Sequence, residues 1–218
     1  MSKSAPLYKD HWPKISEIIQ RFGTDGIKVD RKSEIEKYAR KGIANKQKYI
    51  EVEKVTRVPW PLVVVNHIRE SDADFNTYLG NGERLDRKTT IVPEGRGPFC
   101  SSLPAPFDAF IKGAIDAYAI DGLSAVQQTN DQWILGQEWG SWPVEKMLYY
   151  CEKFNGWGYY IHGIRSPYVW GGTIVQERGK FAPDGKFNPE MWDTQPGCAP
   201  ILWMIGFLDP SVHFTRET

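Results

Sequence analysis

The sequence predicts a mainly α-helical α+β protein, and three observations support this class. Apolar residues recur at helical spacing near the N-terminus, where Ile15, Ile18 and Ile19 would share one face of a helix. The same spacing returns in several later segments. Between them, the Gly-Asn-Gly turn signal at residues 80–82 separates short segments with strand-forming residues, which is typical of a small β-hairpin.

The predicted helices follow one another in chain order. Two helical segments fill residues 11–57, and Gly23 is expected to end the first of them. An apolar helix then begins near Pro59, whose missing N–H is tolerated in a first turn, and it runs to Glu70. The remaining predicted helices cover residues 106–126, 142–154 and 199–208.

Two stretches lack helical spacing. Residues 72–98 contain the predicted hairpin, and their strongest strand signal is the Thr-Thr-Ile-Val run at residues 89–92. Residues 159–196 are rich in Gly, Pro and aromatic side chains and are too long for a simple connection, so we expect packing to order them and expect them to carry function. Because no repeat or linker divides the chain, residues 1–218 are predicted to form one domain, with residues 1–37 as an extension packed on it.

Composition and charge exclude several classes of partner. Lys plus Arg and Asp plus Glu each number 27, so no net field attracts nucleic acid or an anionic membrane. No apolar run approaches the roughly 18 residues of a membrane span, and the first residues contain no apolar signal-peptide core, so synthesis in a cytoplasm is expected. The three cysteines and four histidines are scattered, so we expect neither a metal nor another cofactor.

Glu70 lies at the junction between the apolar helix and the polar hairpin segment. A carboxyl in the last turn of an apolar helix is partly desolvated, and this raises its pKa and keeps part of it protonated near neutral pH. A protonated Glu beside a polar cleft is the general acid that glycoside hydrolases use. The structural alternative is a Glu that caps the helix or forms an ion pair.

Glycosidic cleavage usually needs a second group that activates water, attacks the sugar or stabilises positive charge. Glu83 follows the Asn81-Gly82 turn, so a hairpin would bring its carboxyl back across a cleft from Glu70, and the hydroxyls of Thr89 and Thr90 would hold a water. A Cys100–His67 pair is a weaker alternative for nucleophilic catalysis, since such residues occur together by chance. The carboxylates that remain open as the second group are Asp72, Asp74, Glu83 and Asp86.

An ordered set of motifs resembles the lysozyme family proteins of bacteria and phages. The set begins with Val-Pro-Trp at residues 58–60, continues with His-Ile-Arg-Glu-Ser at 67–71, and includes the hairpin run at 75–85 and Thr-Thr-Ile-Val-Pro-Glu-Gly-Arg at 89–96. Further similar stretches lie at residues 114–117, 154–159, 166–170, 179–181 and 184–185. The resemblance extends from about residue 38 to residue 199.

This resemblance implies a lysozyme-like helical domain with a small β-hairpin after the helix that carries the catalytic Glu. It implies that Glu70 is the general acid and that Glu83 and Thr90 complete the catalytic group, although Glu83 stands where the family usually has Asp. The segment from Asn155 to Trp170 looks like a wall of the sugar groove. The substrate-binding residues that it implies are Asn76, Asn81, Thr89, Asn155, Tyr160, Ser166, Tyr168 and Trp170.

The activity implied by the resemblance is cleavage of the glycan strands of bacterial peptidoglycan, as in a phage muramidase. We expect a monomer that is synthesised in the host cytoplasm, acts at the cell wall, and contacts neither nucleic acid nor the membrane interior. Three alternatives remain: a lytic transglycosylase that uses Glu70 alone, a glycosidase for another glycan, and a non-catalytic glycan-binding or structural phage protein.

Overall fold

The computed structural model describes residues 5–100, 108–123, 127–129, 132–134, 142–182 and 185–218, with only the backbone described at 21–24, 127–129 and 132–134. Over these ranges the chain forms nine α-helices and two short antiparallel β-ladders, which confirms the mainly helical α+β class. The start of the helix predicted over 106–126 lies outside the described residues. No helix in the described ranges is both long and apolar enough to cross a membrane.

The elements are named here in chain order. The helices are α1 (Tyr8–Phe22), α2 (Lys32–Ala44), α3 (Lys46–Thr56), α4 (Trp60–Ser71), α5 (Ala109–Ile120), α6 (Val144–Phe154), α7 (Gly158–Ile161), α8 (Pro167–Trp170) and α9 (Cys198–Leu208). Strands β1 (Gln127–Thr129) and β2 (Gln132–Ile134) form one ladder, and β3 (Lys180–Phe181) and β4 (Phe187–Asn188) form the other.

Internal contacts divide the chain into two compact units. Unit 1 consists of Met1–Ala44 together with Ser141–Thr218, and unit 2 is Asn45–Gly140. The single lysozyme-like domain over residues 1–218 stays a prediction.

Helix α4 is the buried helix of unit 2. Every residue from Trp60 to Arg69 is buried, as expected of a helix that is apolar on all sides. Pro61 lies in its first turn, where the absent N–H removes no helical hydrogen bond. The helix ends because Asp72 and Ala73 adopt the left-handed conformation, with φ of 56° and 55°, and turn the chain away. The prediction of an apolar helix whose last turn contains Glu70 is therefore confirmed.

A cluster of aromatic rings holds the segment that follows α4 against α3 and α5. The His67 ring lies 4.4 Å from the ring of Phe110 and 4.9 Å from the ring of Phe75, and its Nδ1 is 3.0 Å from the hydroxyl of Tyr49. Its Nε2 is 3.0 Å from the carbonyl oxygen of Asp74. Because a carbonyl only accepts, the neutral ring carries its proton on Nε2 and accepts from Tyr49 at Nδ1. These bonds fix the turn after Glu70 to the core.

The hairpin predicted after α4 is reduced to one isolated antiparallel bridge between Thr77 and Arg84. The strand predicted over residues 89–92 is wrong, since this segment is a loop. The hydroxyl of Thr89 donates to the carbonyl of Pro93, and Thr89 exchanges further bonds with Arg96. These local bonds close a loop, and they occupy the groups of Thr89 that would otherwise pair with a neighbouring strand.

Unit 1 is built on two helix pairs. Helix α2 packs on α9, and α1 packs on α6. The predicted helices that begin at residues 142 and 199 are confirmed as α6 and α9, and the end of α1 at Phe22 agrees with the stop expected at Gly23. The regular elements between α6 and α9 are the short helices α7 and α8 and the β3–β4 ladder, within the described residues. A Cβ on Gly197 would lie 2.4 Å from the carbonyl oxygen of Val169, so only glycine permits α9 to start there.

Candidate functional site

The candidate site of unit 2 begins where the turn at residues 80–82 meets the end of α4. Gly82 has a φ of +74°, and a Cβ built on it would lie 2.5 Å from the carbonyl oxygen of Glu70. No other residue type fits this approach without moving the backbone. Glu83 follows directly, so the turn brings its backbone beside the half-buried Glu70. The raised pKa expected for Glu70 stays a prediction.

The carboxylate of Glu83 organises the loop that follows it. Its Oε2 accepts hydrogen bonds from the backbone N–H groups of Thr90 at 2.7 Å and Ile91 at 3.0 Å, and its Oε1 accepts from the hydroxyl of Thr90 at 2.8 Å. Bonds to the N–H of Ile91 and to Thr90 lower the pKa of Glu83 below its ordinary value. The group is therefore an ionised carboxylate at neutral pH.

Thr90 and Thr89 have different roles although both were expected to bind water or substrate. The exposed Thr90 donates its hydroxyl to Glu83, and its oxygen can still accept from a water or a sugar hydroxyl. Thr89 is 3% exposed, and its hydroxyl both donates to Pro93 and accepts from the N–H of Arg96. The substrate-binding role predicted for Thr89 is not supported, because its hydroxyl is committed to closing the loop.

The two asparagines predicted as substrate ligands also bond within the turn. The side-chain amide of Asn76 donates to the carboxylate of Asp74 at 2.9 Å. The side-chain oxygen of Asn81 accepts from the N–H of Glu83 at 3.0 Å, and its amide donates to the carbonyl of Ile91 at 3.1 Å. Asn81 thus links the turn near Glu70 to the loop that surrounds the Glu83 carboxylate.

The other carboxylates considered as the second group are engaged in local contacts. Asp74 accepts from the backbone and side chain of Asn76, and these bonds lower its pKa. Asp86 forms an ion pair with Arg84 at 2.8 Å, which lowers the pKa of Asp86. Asp72 is an exposed residue in the left-handed turn after α4. Glu83 is the one of the four that the Gly82 turn brings beside Glu70.

A network on α5 that sequence reasoning missed holds the turn and the loop together. The hydroxyl of Tyr78 donates to Asp116 at 2.8 Å, and the guanidinium of Arg96 donates through Nε to the same carboxylate at 2.9 Å. Gly113 gives Leu85 and Tyr78 room to pack on the same helix. Arg96 and Asp116 are 20 residues apart, and no local sequence pattern indicates that they meet.

The cysteine–histidine alternative is wrong. Both ring nitrogens of His67 are engaged, by Tyr49 and by the carbonyl of Asp74, and the ring is 0% exposed, so it cannot serve as a base for the exposed Cys100. Among the residues that the structure describes, no group of three His, Cys, Asp or Glu side chains has the arrangement of a metal site.

The remaining predicted substrate ligands belong to unit 1. Asn155 is exposed after the end of α6, and Tyr160 is half-buried. Ser166, Tyr168 and Trp170 are buried, with exposures of 0%, 3% and 3%. Burial of the Tyr168 ring does not suit the sugar platform expected of it, whereas the role expected of Trp170 stays a prediction. A groove shared by these residues and Glu70 stays a prediction.

Comparisons with protein-family models, curated proteins and solved structures find no match to this chain. The assignment of a function therefore depends on the residues and contacts described above.

We predict that the contact between Gly82 and Glu70 makes Gly82 far less replaceable than a glycine of the same conformation elsewhere. Gly95 has a φ of +75° but open space around its Cβ position. Gly95→Ala should cost only the strain of the left-handed conformation, about 1–2 kcal/mol. Gly82→Ala should cost roughly 1–3 kcal/mol more, because the clash with the Glu70 carbonyl must be relieved. Denaturant unfolding of both variants measures the difference, and equal losses contradict the close approach.

A second prediction concerns the pH dependence of stability. Since the folded-state pKa of Glu83 is lowered from 4.5, its ionised form stabilises the fold fully above that pH. This contribution should disappear as pH falls from 4.5 through the lowered pKa. The stability difference between wild type and Glu83→Gln, measured by denaturant unfolding, should therefore shrink as the pH falls below 4.5. Glu94→Gln, a change on the same loop, is the control, and a pH-independent difference for Glu83→Gln refutes the role.

Proposed function

We propose that this protein cleaves the glycan strands of bacterial peptidoglycan, with Glu70 as the general acid. The observation that carries the proposal is the turn packed against the end of α4, which places the backbone of Glu83 near the backbone of Glu70. Glu70 lies half-buried in the last turn of the buried helix α4. Glu83, in contrast, accepts hydrogen bonds from N–H groups of its own loop, and these bonds stabilise its ionised form. The approach of Gly82 to Glu70 brings these residues together. Two carboxyls whose surroundings separate their pKa values are the general arrangement for acid catalysis at a glycosidic bond.

The contacts of Glu83 favour one of the roles open to a second carboxylate. A carboxylate of lowered pKa is a weak base, so it removes a proton from water inefficiently. An ionised carboxylate of this kind can instead stabilise the positive charge that develops on the sugar ring, or attack the ring. We assign Glu83 to charge stabilisation, with the hydroxyl of Thr90 keeping its Oε1 in position.

A lytic transglycosylase is the second candidate, and the same contacts favour it. Within the described residues, Oε2 of Glu83 accepts from Thr90, Ile91 and, at 3.4 Å, from Asn81. A carboxylate with this many loop donors can be purely structural, and Glu70 would then perform both proton transfers alone. The two reactions differ in the requirement for Glu83 and in their products.

The proposal includes a lysozyme-like arrangement of the helices around Glu70 and an endolysin-like life cycle. The protein would be made in the host cytoplasm and would meet its peptidoglycan substrate once the membrane is opened. The motifs that resemble the lysozyme family support this part.

Replacement of Glu70 by Gln tests the assignment of the acid. Glu70→Gln keeps the shape of the side chain but removes the transferable proton, so we expect lysis of purified sacculi to fall by at least about 100-fold. Glu94→Gln, an exposed change on the loop at residues 89–96, should leave the rate unchanged. Turbidity of sacculi measures the rates, and circular dichroism verifies folding. Wild-type lysis by a folded Glu70→Gln protein refutes the assignment.

Glu83→Gln, assayed in parallel, distinguishes the two reactions. A loss of about 100-fold or more indicates a hydrolase that needs both carboxyls, whereas little loss indicates the transglycosylase.

A further inference from the structure

Unit 1 contains a cavity of about 680 Å³ whose lining includes neither Glu70 nor Glu83. This volume lies within the range of small-molecule sites. One side of the cavity is lined by Tyr160 and Trp170, and apolar side chains such as Ile15 and Ile164 extend this surface. The cavity therefore presents rings and aliphatic groups against which the C–H face of a ligand can pack.

A buried polar pair lies at this cavity. Nε2 of His11 is 3.1 Å from Oε2 of Glu152, and both residues line the cavity although they are only 8% and 5% exposed. The carboxylate accepts from Nε2–H and so fixes the tautomer of the neutral ring. Nδ1 of His11 is then an acceptor, and it has no hydrogen-bond partner within the described part of the chain.

The missing partner of His11 is not supplied by its ring neighbours. The rings of Trp157 and Tyr160 lie 5.8 Å and 5.4 Å from the His11 ring, in edge arrangements. A buried polar atom without a partner is costly and indicates a binding role when it belongs to a cavity wall. A hydroxyl suits this atom best, because it can donate to a neutral ring and accept from a protonated one.

The charged groups at the cavity carry both signs. Lys14 and Arg165 are cations, and three carboxylates face them. Arg165 forms an ion pair with Glu177 at 2.9 Å, and Glu152 is bonded to His11. The third carboxylate is Glu17. This mixture gives no net attraction for a phosphate or another anion. It supplies donors and acceptors for a ligand with many hydroxyl groups and no charge.

We propose that this cavity binds one or two rings of a neutral saccharide. Nδ1 of His11 accepts a hydrogen bond from a sugar hydroxyl, and the ring of Tyr160 packs on the sugar ring. The inference rests on the proposed function in naming the same substrate class, a glycan, but it assigns unit 1 a binding site of its own. The site requires no chemistry and does not involve Glu70.

Histidine imidazole ¹⁵N signals of the full chain test this site, because His11 and His67 report on different units. His11 lines the cavity, and His67 lies one turn before Glu70 on α4. The Glu70→Gln protein is titrated with N,N′-diacetylchitobiose so that no cleavage intervenes. We expect the His11 signals to move in a saturable manner. A titration that moves only His67, or neither histidine, overturns the cavity site.

Affinity measured by calorimetry in cavity variants completes the test. Tyr160→Ala removes the ring contact and should weaken chitobiose binding about tenfold. Lys14→Ala changes an exposed side chain, so it keeps the test valid if Tyr160→Ala fails to fold, and it should weaken binding roughly threefold or more. Lys9→Ala, on the same helix but outside the cavity, should bind as the parent does. Parental affinity in the folded cavity variants overturns the proposal even if His11 signals move.

The proposed function and this inference fail separately. Loss of lysis in Glu70→Gln with an unmoved His11 supports the catalytic assignment and refutes the cavity site, and the reverse result does the opposite.

Discussion

The contact between Gly82 and the carbonyl oxygen of Glu70 is the constraint on which the candidate site depends. A Cβ at Gly82 would lie 2.5 Å from that oxygen, so the turn lies against the end of α4 only with glycine there. This position of the turn places the backbone of Glu83 near Glu70. The Glu83 carboxylate then accepts hydrogen bonds from the N–H groups of Thr90 and Ile91. The left-handed Asp72 begins the same change of direction at the end of the helix. Catalytic geometry here would be a consequence of backbone packing.

Polar side chains after α4 serve mainly to build the loop at residues 83–96. Asn81 and Thr89 bond to backbone groups that a strand ladder would otherwise satisfy. The Asp116 carboxylate accepts hydrogen bonds from Tyr78 and Arg96, which lie in two different parts of the segment. In the proposed reaction, such a loop would reorganise little as positive charge develops on the sugar, because its dipoles are already oriented around an ionised carboxylate. The same contacts explain why side chains of the right type for sugar binding are unavailable for it.

Helix α4 and the end of α1 were predictable because periodic apolar residues, prolines and a glycine stop are local signals. The strand expected at residues 89–92 was wrong because β-propensity depends on a partner strand. Here the Glu83 carboxylate accepts from the N–H of Ile91, and the N–H of Arg96 donates to the hydroxyl of Thr89, in place of that partner. Burial of Tyr168 could not be predicted, because its segment has no periodic pattern of apolar residues that would distinguish buried from exposed positions. The pairing of His11 with Glu152 joins residues 141 positions apart, and no local pattern reveals it.

Local backbone geometry thus brings the backbone of Glu83 near Glu70. We propose that these two residues cut glycan strands. Mass spectrometry of purified sacculi digested by the protein tests this claim most directly. We expect soluble muropeptides with a reducing-end muramic acid, whereas anhydro-muramic products would assign the reaction to Glu70 alone. A digest with no more soluble glycan than untreated sacculi would show that the protein does not cleave these strands.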